Sequence, residues 1–214
     1  RRAGGGRRHR RHARGARPLP PVCRSPEVNG SIRAFLAVGI PDSVRRELGR
    51  LVGRLGNRPG PRVRWVRPEL MHLTLVFLGE VEEGFIARAV RSLRSVVSEL
   101  PGFQCRLCGL GAFPSSSRAR VVWVGVGAGR DELRELQRSV TRTLQAVGFR
   151  PEGREFTPHL TLGRLREPAD VKPIVEGRFE SDTFQVECLT AFRSVLGPGG
   201  PEYTELAALP LRTA

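Results

Sequence analysis

HLTLVFL runs from His72 to Leu78, and HLTLGRL runs from His159 to Leu165. The two heptads differ only at their fifth and sixth places. The chain has four histidines, and two of them, His9 and His12, lie in an arginine-rich N-terminal stretch. Every histidine outside that stretch therefore belongs to one copy of the repeat. A strand sends alternate side chains to opposite faces, so in each copy His and Thr share one face and the two Leu share the other. The Leu face can pack into a core while the His–Thr face opens to a cleft. Two such strands, one from each half of the chain, predict an α+β fold. Its two pseudo-symmetric lobes of antiparallel sheet carry outer helices around a central cleft.

The flanking pattern supports that architecture. IRAFLAVGI from Ile32 reads as a buried strand. Pro41-Asp42 then opens a helix with Val44, Leu48, Leu51, Val52 and Leu55 on one face. VRWV from Val63 is a short strand, and LMHLTLVFLG carries the first motif. A second helix spans Glu82 to about Leu100. FQCRLCGL and VVWVGV read as strands around the GAFPSSSRAR loop. A third helix begins near Asp131, with Leu133, Leu136, Val140, Leu144 and Val147 facing the core. Pro158 precedes the second motif strand, and TFQVECLTAFRSVL and YTELAALPL close the domain around a GPGG turn.

Length and charge bound the rest. The chain has 214 residues and a formal net charge of +15. Nine arginines and no acid fall in Arg1–Arg24, which leaves about +6 for the remainder. That balance suits a polyanionic substrate. Lys172 is the only lysine, and such a skew also follows from a GC-rich genome, so charge alone does not identify nucleic acid as the partner. Residues 1–30, rich in Arg, Gly and Pro, are expected to be a disordered tail, with one domain over 31–214. No apolar run approaches a membrane span and no secretory signal is evident, so a cytoplasmic protein without membrane contact is expected. Cys105 and Cys108 fall on a predicted strand, where positions three apart face opposite ways. They are read, with Cys23 and Cys188, as buried free thiols.

A single H-x-T on a strand is ordinarily a polar-face histidine. The pair is singled out by the length of the match, its hold on every core histidine and its shared strand context. An imidazole and a hydroxyl about 7 Å apart along one strand can hold two points of one small group. A facing copy would place two imidazoles around one centre. That set suits metal-free phosphodiester hydrolysis: one neutral imidazole accepts a proton from water and the other, protonated, gives one to the departing oxygen. Hydroxyls and a guanidinium would hold the non-bridging oxygens. Arg164 follows His159 by five residues, so a regular strand would turn it away, and its use requires a bend or bulge, for instance at Gly163. Catalytic zinc generally takes three protein ligands, and only two histidines are on offer, so no metal and no cofactor is expected. Phe113 and Phe156 are candidate base-stacking residues; Trp65, Phe77 and Trp123 are weaker ones.

These residues resemble the two-histidine phosphoesterases, whose defining pattern is H-x-T-x twice. VRWVRPELMHLTLVFLGEV, the GLGAFPS loop, FTPHLTLGRL and FRSVLGPGGPEYTELAALPL are similar, more narrowly, to the bacterial and archaeal RNA 2′,3′-cyclic phosphodiesterases, historically called 2′-5′ RNA ligases. The likeness covers about Ser31 to Leu211. It implies hydrolysis of RNA 2′,3′-cyclic phosphate ends to 2′-phosphates. By motif order, His72 would be the proton donor and His159 the proton acceptor. Thr74 and Thr161 match phosphate-holding hydroxyls, and Arg164 matches a basic position that supports the phosphate. The alternatives are reversible 2′-5′ ligation of tRNA halves and a non-catalytic RNA-binding module. The expected partner is RNA with a cyclic phosphate end, tRNA fragments included, and the expected state is a monomer.

Overall fold

A computed structural model describes residues 30–151, 153 and 155–213. Apart from Gly30, the tail expected to be disordered lies outside the described residues, and Cys23 with it. In chain order the elements are β1 (Ser31–Val38), α1 (Asp42–Gly56), β2 (Arg64–Trp65), β3 (Leu73–Glu82), α2 (Glu83–Val97), β4 (Phe103–Cys105), β5 (Leu107–Phe113), β6 (Ala119–Val126), α3 (Arg130–Ala146), β7 (His159–Ala169), α4 (Lys172–Val175), β8 (Phe184–Val186), β9 (Cys188–Gly197) and β10 (Gly200–Pro210). The main sheet runs β10-β9-β1-β3-β7-β6-β5, with β2 paired to β7, and β4 with β8 forms a separate ribbon. Neighbouring strands are antiparallel throughout. The α+β architecture and its two lobes follow: β10, β9, β1 and β3 make one lobe, and β7, β6, β5 and β2 the other.

Alternation decides which face each strand buries. In β1, Ile32, Ala34, Leu36 and Val38 are buried on one side, while Arg33, Phe35 and Ala37 share the other. In β7, Leu160 and Leu162 are fully buried and His159 and Thr161 are half-exposed. The helices cover the Leu face. Their apolar stripes, Val44/Leu48/Leu51/Leu55, Ile86/Ala89/Leu93/Val97 and Leu133/Leu136/Val140/Leu144, are all buried in the same cluster as Leu73, Leu160 and Leu162. Fully burying one such leucine stabilises the fold by about 1.5–3 kcal/mol. The two Leu of each HLTL thus pin the strand, and the His–Thr side is left free. Among the described residues no helix is long and apolar enough to cross a membrane.

Three expectations change. The strand predicted over FQCRLCGL breaks at Arg106, and TFQVECLTAFRSVL breaks at Glu187, because β4 and β8 leave the main sheet to pair with each other. Alternation continues through both breaks, so the pattern does not register the change of partner. Cys105 is buried and Cys108 exposed, as opposite faces require, but Cys108 and the half-buried Cys188 are not buried thiols. Val147 caps α3 and stays half-buried, outside the core face.

Candidate active site

The two lobes meet where the motif strands overlap. Leu73 of β3 pairs with Leu160 of β7, antiparallel. Each of these leucines directly follows its histidine. Carrying that register one residue either way sets His72 against Thr161 and Thr74 against His159. A local two-fold axis therefore passes through the Leu73–Leu160 pair, and the four polar side chains stand around it on the face opposite the core. Diagonal neighbours of this kind lie about 7–8 Å apart at their Cα atoms, close enough for two imidazoles to flank one tetrahedral group.

The two rings are held alike. His72 Nδ1 donates to the Leu70 carbonyl at 2.8 Å, and His159 Nδ1 donates to the Thr157 carbonyl at 2.7 Å. A carbonyl only accepts, so each neutral ring carries its proton on Nδ1 and keeps a lone pair on Nε2, directed away from its own backbone. Burial pushes the His72 pKa down to about 4; the Leu70 bond opposes this and the Arg45 charge adds to it. His159 is also lowered, again chiefly by burial, with the Thr157 bond opposing and Arg164 adding. Both imidazoles are thus biased toward the neutral form. An anion between them would favour the protonated forms and reverse the bias.

The repeat also repeats its irregularity. Against β1, Val76 pairs with Leu36 and Thr74 with Ala37, so Leu75 is an extra residue. Against β6, Gly163 pairs with Val122 and Thr161 with Trp123, so Leu162 is an extra residue. Leu75 and Leu162 occupy the same place in the two copies. A bulge reverses the alternation that follows it, so the residue five after each histidine returns to the histidine face. That residue is Phe77 in one copy and Arg164 in the other. The bend expected for Arg164 is present, one residue earlier than Gly163. Gly163 has its own reason: a Cβ there would lie 2.5 Å from Val63 and 2.9 Å from Trp65, which press on the core side. The influence of Arg164 on both His159 and Tyr203 agrees with a guanidinium directed into the cleft.

Aromatic rings wall both histidines. Phe35 stacks on His72 at 4.8 Å between centroids, Tyr203 meets its edge at 5.4 Å, and Phe192 lies at 6.3 Å. Phe113 meets His159 edge-on at 4.9 Å, with Trp123 at 6.2 Å. Phe113 is thus beside the site, as expected, but as a wall of the His159 pocket. Phe156 is not among those rings: it packs on the core and borders a shallow depression with Arg134, Gln137 and Arg138 of α3. Phe77 is 55% exposed, and its ring centroid lies 6.0 Å from that of Phe35. Phe35, Phe192 and Tyr203 were missed by sequence reasoning. Their signal was alternation, since Phe35 falls between the core residues of β1. Among the described residues no three His, Cys, Asp or Glu side chains converge to hold a metal.

This geometry agrees with what the chain is similar to. The family model described as the 2′-5′ RNA ligase superfamily matches residues 40–191. A protein of Aeropyrum pernix named RNA 2′,3′-cyclic phosphodiesterase is 41% identical over 167 residues, which cover 73% of this chain and 94% of that one. The protein of the same name from Methanothermobacter thermautotrophicus is 34% identical over 185 residues, covering 84% and 99%. Among solved structures, TT0787 of Thermus thermophilus superposes with a TM-score of 0.71 at 29% identity, over 85% of this chain and 99% of its own. LigT of E. coli, crystallised with 3′-AMP, superposes with a TM-score of 0.69 at 26% identity, over the same shares. Both copies of the histidine motif lie inside the matched region, and the chain belongs to the 2′-5′ RNA ligase superfamily.

Proposed function

We propose that this protein hydrolyses the 2′,3′-cyclic phosphate end of RNA to a 2′-phosphate, without a metal ion. The reading rests on the Leu73–Leu160 pairing, which relates the two H-x-T units by a local two-fold. His159 Nε2 takes a proton from the attacking water. The bond from phosphorus to the 3′-oxygen breaks, and His72 Nε2 gives that oxygen a proton. Thr74 and Thr161 donate to the non-bridging oxygens, and Arg164 offsets the negative charge that grows on them. In the next cycle the two rings exchange the proton through solvent.

Burial makes the His72 ring hard to protonate on its own. Its role as donor therefore depends on the negative charge of the bound phosphate, which draws a proton onto the ring as substrate enters. Phe77, exposed beside the buried Phe35, offers a face for the terminal base, at about 1–3 kcal/mol of stacking. Phe113 is kept by His159 and Phe156 by α3, so neither takes that role.

With the 5′-hydroxyl of a second RNA in place of water as nucleophile, the same groups break the bond to the 3′-oxygen and join ends through a 2′-5′ linkage, tRNA halves among them. An RNA-binding module without catalysis would have no use for two Nδ1-anchored imidazoles. We read residues 31–214 as one catalytic domain, working as a cytoplasmic monomer behind its arginine-rich N-terminal segment. Product analysis after incubation with an RNA ending in 2′,3′-cyclic phosphate tests the reading. A 2′-phosphate formed in the presence of EDTA is the expected result. A 3′-phosphate, or activity lost to EDTA and restored by zinc, would overturn it.

A further inference from the structure

We propose that Arg64, directly across the strand pair from Arg164, forms a second anion subsite, which takes the RNA backbone phosphate next to the reacting one. The proposal rests on the RNA phosphodiesterase reading above and extends it from the terminal nucleotide to the chain that carries it.

Arg64 of β2 and Arg164 of β7 are Cα partners across an antiparallel pair. Directly opposed residues share a face with Cβ atoms about 4.5–5.5 Å apart, and like charges so placed repel. The next pair, Trp65 with Gly163, faces the core, so Arg64 and Arg164 both face the cleft. Neither arginine forms an ion pair among the described residues, whereas Arg106, Arg134 and Arg138 each have a carboxylate. Two unneutralised guanidinium groups side by side make a place for an anion.

The surroundings hold the pair in place. Val66 N–H donates to the Leu162 carbonyl at 2.8 Å, tying β2 to the bulge of β7. Trp65 lies over Gly56 and Gly163, so β2 cannot lift without exposing an indole. The β9–β10 hairpin closes the other side. Gly200 is buried with φ at +113°, and a Cβ on it would lie 3.7 Å from Arg64 Nη2. The hairpin tip of one lobe therefore rests on an arginine of the other. Three residues further on, Tyr203 meets the edge of the His72 ring.

Position separates this subsite from the first. Counting the bulge, the Arg64–Arg164 pair lies three rungs beyond Leu73–Leu160, roughly 10 Å along the strands. Arg164 can lean back to the reacting phosphate from there. Arg64, held under the hairpin, is placed for the next phosphate along the chain. An RNA end of two or more nucleotides engages both guanidinium groups, and a cyclic mononucleotide engages one.

The test compares wild type, Arg64→Gln and Arg64→Lys on adenosine 2′,3′-cyclic phosphate and on a dinucleotide ending in the same group. Wild type is expected to prefer the dinucleotide, and Arg64→Gln to lose about tenfold of that preference in kcat/KM, with Arg64→Lys restoring part of it. The salt dependence of binding a 2′-phosphorylated dinucleotide should also flatten by about 0.7 in log–log slope in Arg64→Gln, as loss of one single-strand phosphate contact requires. An equal loss on both substrates, or an unchanged preference and slope, would overturn the subsite. A wild-type protein that cleaves neither substrate overturns the hydrolase reading instead, and the binding slope then still decides the fate of Arg64.

Discussion

The two copies of the motif share a backbone and differ in their surroundings. Both begin with an Nδ1-anchored histidine, both bury two leucines, and both bulge at the second leucine. Past the bulge they part: β3 presents Phe77 to the cleft and β7 presents Arg164. Around the histidines they differ again. His72 sits against Phe35, Phe192 and Tyr203, and His159 against Phe113 and Trp123. Symmetry thus supplies two imidazoles held in the same way, the acid–base pair of the proposed reaction. The asymmetry gives the site a direction, with an apolar platform on one side and a cationic one on the other.

The comparison can be broken most directly at the histidines. Alanine at His72 or His159 should each lower kcat on an RNA 2′,3′-cyclic phosphate by about 10²–10⁴-fold. The double variant should lose little more than the worse single one, since the pair acts as a unit. Single losses of less than tenfold, read in the same assay, would remove both copies from the chemistry.

The difference in burial predicts a pH effect on stability. The folded pKa of His72, about 4, lies below the ordinary histidine value of 6.5. Between those values the unfolded chain binds more protons than the folded one, so stability rises with pH. His72 therefore contributes its full share above about pH 6.5 and loses it as pH falls through about 4, on the order of 3 kcal/mol in all. Denaturant titrations from pH 4 to 7 should show a flatter profile for His72→Gln than for wild type, and His159→Gln should change the profile less. The same bias places the acid limb of kcat/KM below pH 6.5, with the kcat profile displaced upward by the bound phosphate.

Exchanging the residues past the bulge sharpens the functional contrast. Arg164→Gln should lower kcat/KM by roughly 10–100-fold, the value of about 1.5–3 kcal/mol for a hydrogen bond from a charged group. Phe77→Ala should act on KM rather than kcat, raising it about tenfold if the terminal base stacks there. An effect of Phe77→Ala on kcat alone would move Phe77 from base binding to phosphate positioning.

Much of this was legible in the repeat. Alternation in HLTL placed His and Thr on one face and Leu on the other, and the structure buries Leu73, Leu75, Leu160 and Leu162 accordingly. The three long helices follow their apolar stripes to within a few residues. The need for a bulge before Arg164 was legible too, because five positions along a regular strand end on the wrong face. Its twin at Leu75 was less legible, because Phe77 is only a weak base-stacking candidate and does not require the histidine face. Phe156 differs: three residues before His159 in sequence, it packs on the core and borders α3, apart from the rings that wall the histidine.

By itself, then, the sequence singled out the histidines and threonines proposed to carry the chemistry and the strand face they occupy. A period of two, a period near 3.6 and the restriction of core histidines to one repeated motif are local properties, written in the order of residues. Only the tertiary structure decided that Leu73 meets Leu160, that Arg64 lies across from Arg164, and that Tyr203 reaches His72. Those are pairings between segments far apart in the chain. They are fixed by which surfaces exclude water together, and strand alternation alone does not specify a partner.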